Sequence, residues 1–138
     1  MLRFSILLFF LVLVSCRPEI KQSDLAKLNG YWEIESVTLA DGSEKEYKVS
    51  EIIDLFEVKG TSGVRKKVRP QFNGKYPETG DYQKIDLVFS NGKAYLKYTT
   101  DYSKWQEEVV AVSEEELVLK NKQDVEYHYK KHIPFSLK

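Results

Sequence analysis

The side chains best equipped for chemistry in this chain of 138 residues are two histidines, His128 and His132, and a single cysteine, Cys16. The histidines stand four apart in a segment with strand character, where they share a face but are separated by about 13 Å of rise. They could meet at one metal ion only if the strand ended between them. No H-E-x-x-H pair occurs, no serine sits in a G-x-S-x-G turn, and Gly60 and Gly63 flank a hairpin turn rather than a phosphate loop. The acidic runs Glu107-Glu108 and Glu114-Glu115-Glu116 place neighbours on opposite faces of a strand. A catalytic carboxylate pair must instead face each other across about 5–9.5 Å. A solvated surface is therefore expected for them, and no enzyme, cofactor or metal site.

The sharpest alternation is cationic. Arg65, Lys67 and Arg69 share one face of the segment Val64 to Pro70, with Val64 and Val68 on the other. If the valines enter the core, the cations form a solvent-facing stripe that resists edge aggregation, and Lys66 is the odd inward residue. In the reversed register the three cations line the interior and need an anionic ligand or buried acids, because unpaired buried charge is very costly. The outward stripe is the expectation. The aromatic residues Phe56, Phe89, Tyr98, Trp105, Tyr127 and Tyr129 could line an apolar pocket, with tyrosine hydroxyls at a ligand's polar end. They would equally fill a closed core, and in so short a chain a filled or nearly filled interior is favoured.

The elements that must position these residues are almost all strands. Ser23 to Gly30 (SDLAKLNG) has a cap, Leu25 and Leu28 three apart and a closing Asn-Gly, which predicts a short helical turn able to cover the end of something. From Tyr31 onward, strand segments alternate with turn signals: Tyr31 to Leu39, a weak charged piece from Glu44 to Val49, then Ile52 to Lys59, Val64 to Pro70, Lys84 to Ser90, Lys93 to Thr100, Trp105 to Val112, Glu116 to Asn121 and Val125 to Lys131. Trp32 and Ile34 share a face while Val37 and Leu39 fall in the opposite phase, which predicts a bulge near Ser36. Asn91-Gly92 is the best type I′ signal in the chain. Gln71 to Tyr82 is the longest irregular piece. Short strands joined by tight turns predict an all-β, antiparallel up-and-down meander, and eight of them lose their bare edges by closing into a barrel. Such a barrel has room for side chains or one small ligand.

The first sixteen residues, MLRFSILLFFLVLVSC, carry one charge at Arg3, an apolar run and small residues before Cys16. That is the order of a secretory signal peptide, too short to span a membrane as a helix. Leu13-Val14-Ser15-Cys16 resembles the lipobox of bacterial lipoproteins. The resemblance implies cleavage before Cys16, a diacylglycerol on its thiol and attachment to a membrane by acyl chains. No second cysteine is available for a disulfide. The expected organisation is a signal peptide over 1–15, a lipidated cysteine and tether over 16–23, and one domain over 24–138. Lys plus Arg and Asp plus Glu each number 21, so no global field points to nucleic acid.

Leu28-Asn29-Gly30-Tyr31-Trp32-Glu33-Ile34 resembles the opening of lipocalin-type barrels: a helical turn, a Gly, and a Trp two positions later on the first strand. The later hairpins are similar in pattern to small lipocalin-like lipoproteins of Bacteroidetes-type bacteria. The resemblance implies that Gly30 and Trp32 form the closed-end motif, with a basic residue of the last strand over the Trp. For that role this chain offers Lys130 and Lys131 and no Arg. It implies a cell-envelope lipoprotein that binds a small hydrophobic molecule at the open end. The alternative is a structural or protein-interaction module with a filled barrel, whose loops, especially Gln71 to Tyr82, meet an unknown protein partner. Arg17-Pro18-Glu19 lacks the aspartate of inner-membrane retention and a clear acidic run of surface export, which favours the periplasmic face of an outer membrane.

Overall fold

The computed structural model describes residues 19–134. The expectations for the signal peptide and for Cys16 lie outside these residues, as do those for Arg17 and Pro18. A 3-10 helix, Gln22–Leu28, comes first. It is followed by β1 (Gly30–Thr38), β2 (Glu44–Glu46), β3 (Ile53–Lys59), β4 (Ser62–Val68), β5 (Gln83–Ser90), β6 (Lys93–Thr99), β7 (Lys104–Val112), β8 (Glu116–Lys120) and β9 (Glu126–Lys131). Each of β3 to β9 pairs antiparallel with the next, β1 pairs with β3, and β9 returns to β1, so eight strands close on themselves. The remaining strand, β2, is a charged and fully exposed addition to the far end of β1, a composition that discourages further pairing.

The alternation read from the sequence accounts for the wall. Ile85 and Leu87 on β5 lie across from Tyr98 and Leu96 on β6, and all four face inward and are buried. The register of β1 against β9 shifts between Ile34 and Ser36, so Trp32, Ile34 and Val37 all serve the interior despite their change of phase. Between β5 and β6, Asn91 and Gly92 have φ of 52° and 74°, the two positive values that a type I′ turn requires.

The 3-10 helix seals one end. Leu25 and Leu28 are buried in the core cluster beneath it. Asn29 ties the helix to β3, its amide donating to the Val58 carbonyl at 3.0 Å while its own Oδ1 accepts from the Val58 N–H. At the other end lie the start of β3, the β6–β7 turn and the β8–β9 turn. The wall is incomplete between β4 and β5, whose pairing stops at Arg65 and Gln83. Beyond that point the irregular segment following β4 doubles back along it. Arg69 N–H donates to the Pro77 carbonyl at 3.0 Å, and Thr79 N–H donates to the Lys67 carbonyl at 3.0 Å.

Candidate functional site

Arg65 is the centre of the barrel's open half. On β4 it lies opposite Phe56 of β3 and Gln83 of β5, pointing inward. Its Nε donates to Asp54 Oδ1 at 3.1 Å and its Nη1 to Glu107 Oε1 at 3.1 Å, with all three side chains at least nine-tenths buried. The remaining donors reach two phenols, Tyr98 at 3.1 Å and Tyr129 at 3.0 Å. The guanidinium plane also lies over the rings of Phe56, Tyr98 and Tyr129, 5.0–5.8 Å from their centroids. One cation from β4 thus joins acids from β3 and β7 and phenols from β6 and β9.

This overturns the expected outward stripe. Arg65 faces inward, Lys67 straddles the mouth with Nζ 2.6 Å from Asp54 Oδ1, and only Arg69 is simply exposed. Lys66, expected inward, points out and pairs with Glu78 at 3.0 Å. Glu107, expected on a solvated surface, is buried. The physical reason is compensation: two carboxylates in the interior make an inward guanidinium stable, where an unpaired one would be prohibitive. Val68 does not need the interior either. It pairs with Ile53 on the outer face, where both are buried and Val68 bridges Glu78 in the doubled-back segment.

The electrostatics follow from that closeness. Burial alone would raise the Asp54 carboxyl, but Arg65 and Lys67 outweigh it and hold Asp54 below the usual carboxylate range. Burial works against the Arg65 cation, and the surrounding phenols and carboxylates more than offset it, so its pKa is raised and it stays charged. Burial pushes Tyr129 up to about 12, against the pull of Arg65. Tyr98 is raised well above its ordinary value, first by burial and then by the Glu107 carboxylate. Both phenols remain neutral at physiological pH and accept from the Arg65 guanidinium.

The sealed end contrasts with this. Trp32 is fully buried, and its indole N–H donates to the Leu28 carbonyl at 2.8 Å. Lys131 stands over the Trp32 ring at 4.5 Å and donates to the Asn29 carbonyl at 2.7 Å, so a last-strand lysine takes the basic position. Gly30, with φ of +125°, leaves the space that the Lys131 chain fills. The helical cap, the up-and-down closure of eight strands and the capped Trp on the first strand now stand together. The barrel is lipocalin-like.

Of the six aromatic residues proposed to line a pocket, the lipocalin-like barrel gathers Phe56, Tyr98 and Tyr129 around Arg65. Trp105 stacks on Tyr98 at 5.3 Å and is partly exposed at the mouth. Tyr127 is half-buried against the core. Phe89 is apart from the group: it faces Ala94, four residues and about 13 Å along β6 from Tyr98, and is exposed near the sealed end. The histidines are held separately. His132 Nδ1 lies 2.6 Å from Glu33 Oε1 and its Nε2 3.1 Å from the Tyr76 hydroxyl, while His128 Nε2 contacts Thr38 at 3.4 Å. Tyr76 also stacks on Tyr31 at 4.4 Å, so these contacts fasten the segment between β4 and β5 to the outer wall.

No family model and no curated protein sequence matches this chain. Among solved structures, it is similar to a lipocalin-like protein from Bacteroides uniformis ATCC 8492, with a TM-score of 0.48 and 12% identity over 77% of this chain and 99% of that one. It is also similar to an uncharacterized protein from Bacteroides eggerthii DSM 20697, with a TM-score of 0.47 and 12% identity over 76% of this chain and 99% of that one. Both likenesses concern the path of the chain alone.

Proposed function

We propose that this chain is a non-enzymatic, lipid-anchored module of the cell envelope, held through Cys16 at the periplasmic face of an outer membrane. Its barrel is a rigid platform whose rim and loops meet another protein. The observation that carries this reading is the filled interior. Trp32, Phe56, Leu96, Leu117 and Leu119 are 0% exposed, so no void large enough for a water touches them. An apolar ligand entering from the mouth would also have to part the Arg65 network, leaving its charges without partners. Among the described residues, large apolar side chains are instead offered outside, including Val49 at 89% and Ile133 at 83% exposed.

The second reading, a small hydrophobic molecule at the open end, draws on Trp105. Its indole stacks on Tyr98 and is still 38% exposed, a shallow apolar shelf above the charged plug. Two experiments on the full-length chain separate the readings. Photo-crosslinkers placed at Val49 and at Tyr102, used in intact cells, should yield a discrete protein adduct, and a fluorescent fatty acid should not be taken up. Absence of any adduct together with saturable uptake, quenched by Trp105→Ala, would favour the ligand reading.

A further inference from the structure

The rim beside the β6–β7 turn holds a cavity of about 270 Å³ that the barrel's interior does not explain. The pairing of Lys84 with Thr99 brings the start of β5 against this turn. Asp81, Tyr82 and Lys84 line it from around the start of β5, and Asp101 and Tyr102 from the turn. The turn is ordered: Thr100 Oγ1 accepts from the N–H groups of Tyr102 and Ser103 at 3.3 and 3.1 Å, and Thr100 N–H donates to the Ser103 carbonyl at 2.9 Å. The cavity also offers unused chemistry. The side chains of Asp81, Lys84 and Asp101 make no hydrogen bond or ion pair with another described residue. Two tyrosine rings are exposed beside them, 51% for Tyr82 and 94% for Tyr102.

We infer that this rim cavity binds a neutral saccharide. A pyranose presents an apolar face of polarised C–H groups, which suits the negative face of a phenol ring. Its edge carries hydroxyls that each donate and accept. Asp81 and Asp101 can each accept from a hydroxyl in a charge-assisted hydrogen bond, and Lys84 can donate to the ring or to a further hydroxyl. Other ligand classes meet a mismatch. An anion faces two carboxylates, an organic cation faces the Lys84 ammonium, and a purely apolar tail would desolvate three unpaired charges. Every residue involved lies outside the Arg65 network, so the filled interior neither requires nor forbids this site.

The test is a set of amide NMR titrations of the full-length chain in detergent micelles. The probes are maltose, lactose, mannobiose and chitobiose, with tetramethylammonium chloride and inorganic phosphate titrated separately. At least one sugar should shift the amides of residues 81–84 and 99–102 saturably. Tyr102→Ala and Asp101→Asn should each weaken that sugar by about tenfold or more, with the remaining spectrum preserved as proof of folding. Silence of these amides across the four sugars overturns the inference. So do sugar shifts that survive both substitutions, or shifts produced by the ammonium or phosphate probe in place of a sugar.

Discussion

The two halves of the barrel are built on opposite principles. The sealed half is packed with Leu25, Leu28, Trp32 and the inward aliphatics of β5 to β8, and a last-strand cation, Lys131, lies against a ring at its edge. The open half is filled by an arginine, two carboxylates and two phenols whose bonds are mutually satisfied. Apolar packing tolerates small shifts and charges for lost volume, whereas an ionic plug tolerates almost no missing partner. The lesson is that a small barrel can close its mouth with charge, provided the charges come from different strands. Because β3, β4, β6, β7 and β9 each contribute a member, the plug also discriminates the native register from a slipped one, which would strand each member.

The comparison is broken most forcefully at Arg65. Arg65→Ala leaves Asp54 and Glu107 buried without their cation and should cost about 3–5 kcal/mol in urea unfolding followed by tryptophan fluorescence. The concerted change of Asp54→Leu, Arg65→Met and Glu107→Leu removes all three charges and should cost little, or even stabilise by about 1–4 kcal/mol. A concerted loss as large as that of Arg65→Ala would mean that the network contributes net stability, contrary to this account. In the sealed half, Leu28→Ala should cost about 2–5 kcal/mol according to how far the helix settles into the cavity. No concerted rescue is expected there.

Titration sharpens the same contrast. Tyr129 has a folded pKa of about 12 against an ordinary 10.0, so the unfolded chain loses this proton first. Its contribution is full below pH 10 and should fall by roughly 2–3 kcal/mol as pH rises through 12. Tyr129→Phe should remove this share of the alkaline loss in unfolding curves taken across the range, leaving the share of Tyr98, which burial also raises. At the acid end, Asp54 titrates below its ordinary 3.8, so its contribution is present above that value and is lost as pH falls through the lower folded one. The smallest effect belongs to the outer wall. Lys93, 3.6 Å from Glu108 and more than half exposed, should lose no more than about 0.5 kcal/mol on change to Ala in the same assay.

Much of the fold was legible because strand alternation and turn chemistry are local. The phase change after Ile34 announced the bulge, Asn91-Gly92 its turn, and Leu25 and Leu28 the capping helix. The open half was not legible in the same way. Val64-Arg65-Lys66-Lys67-Val68 invites the valines inward, and what reverses it is distant: Asp54 lies 11 and Glu107 42 residues from Arg65. The signal was present on the partner strands. Asp54 shares the phase of Phe56 and Val58, and Glu107 that of Trp105 and Val109, so two acids sit among core positions and require an inward cation. The outer burial of Val68 and the fastening of Tyr76 to Tyr31 and His132 depend on an irregular segment, for which periodicity offers no guide.

The most direct test of the filled barrel is native mass spectrometry of the full-length chain, extracted from cells in mild detergent and never denatured. One mass is predicted, that of the polypeptide with any covalently attached acyl chains, unchanged by added fatty acid. A stoichiometric apolar molecule released only when the barrel unfolds would contradict it, and would require the Arg65 network to open in the cell.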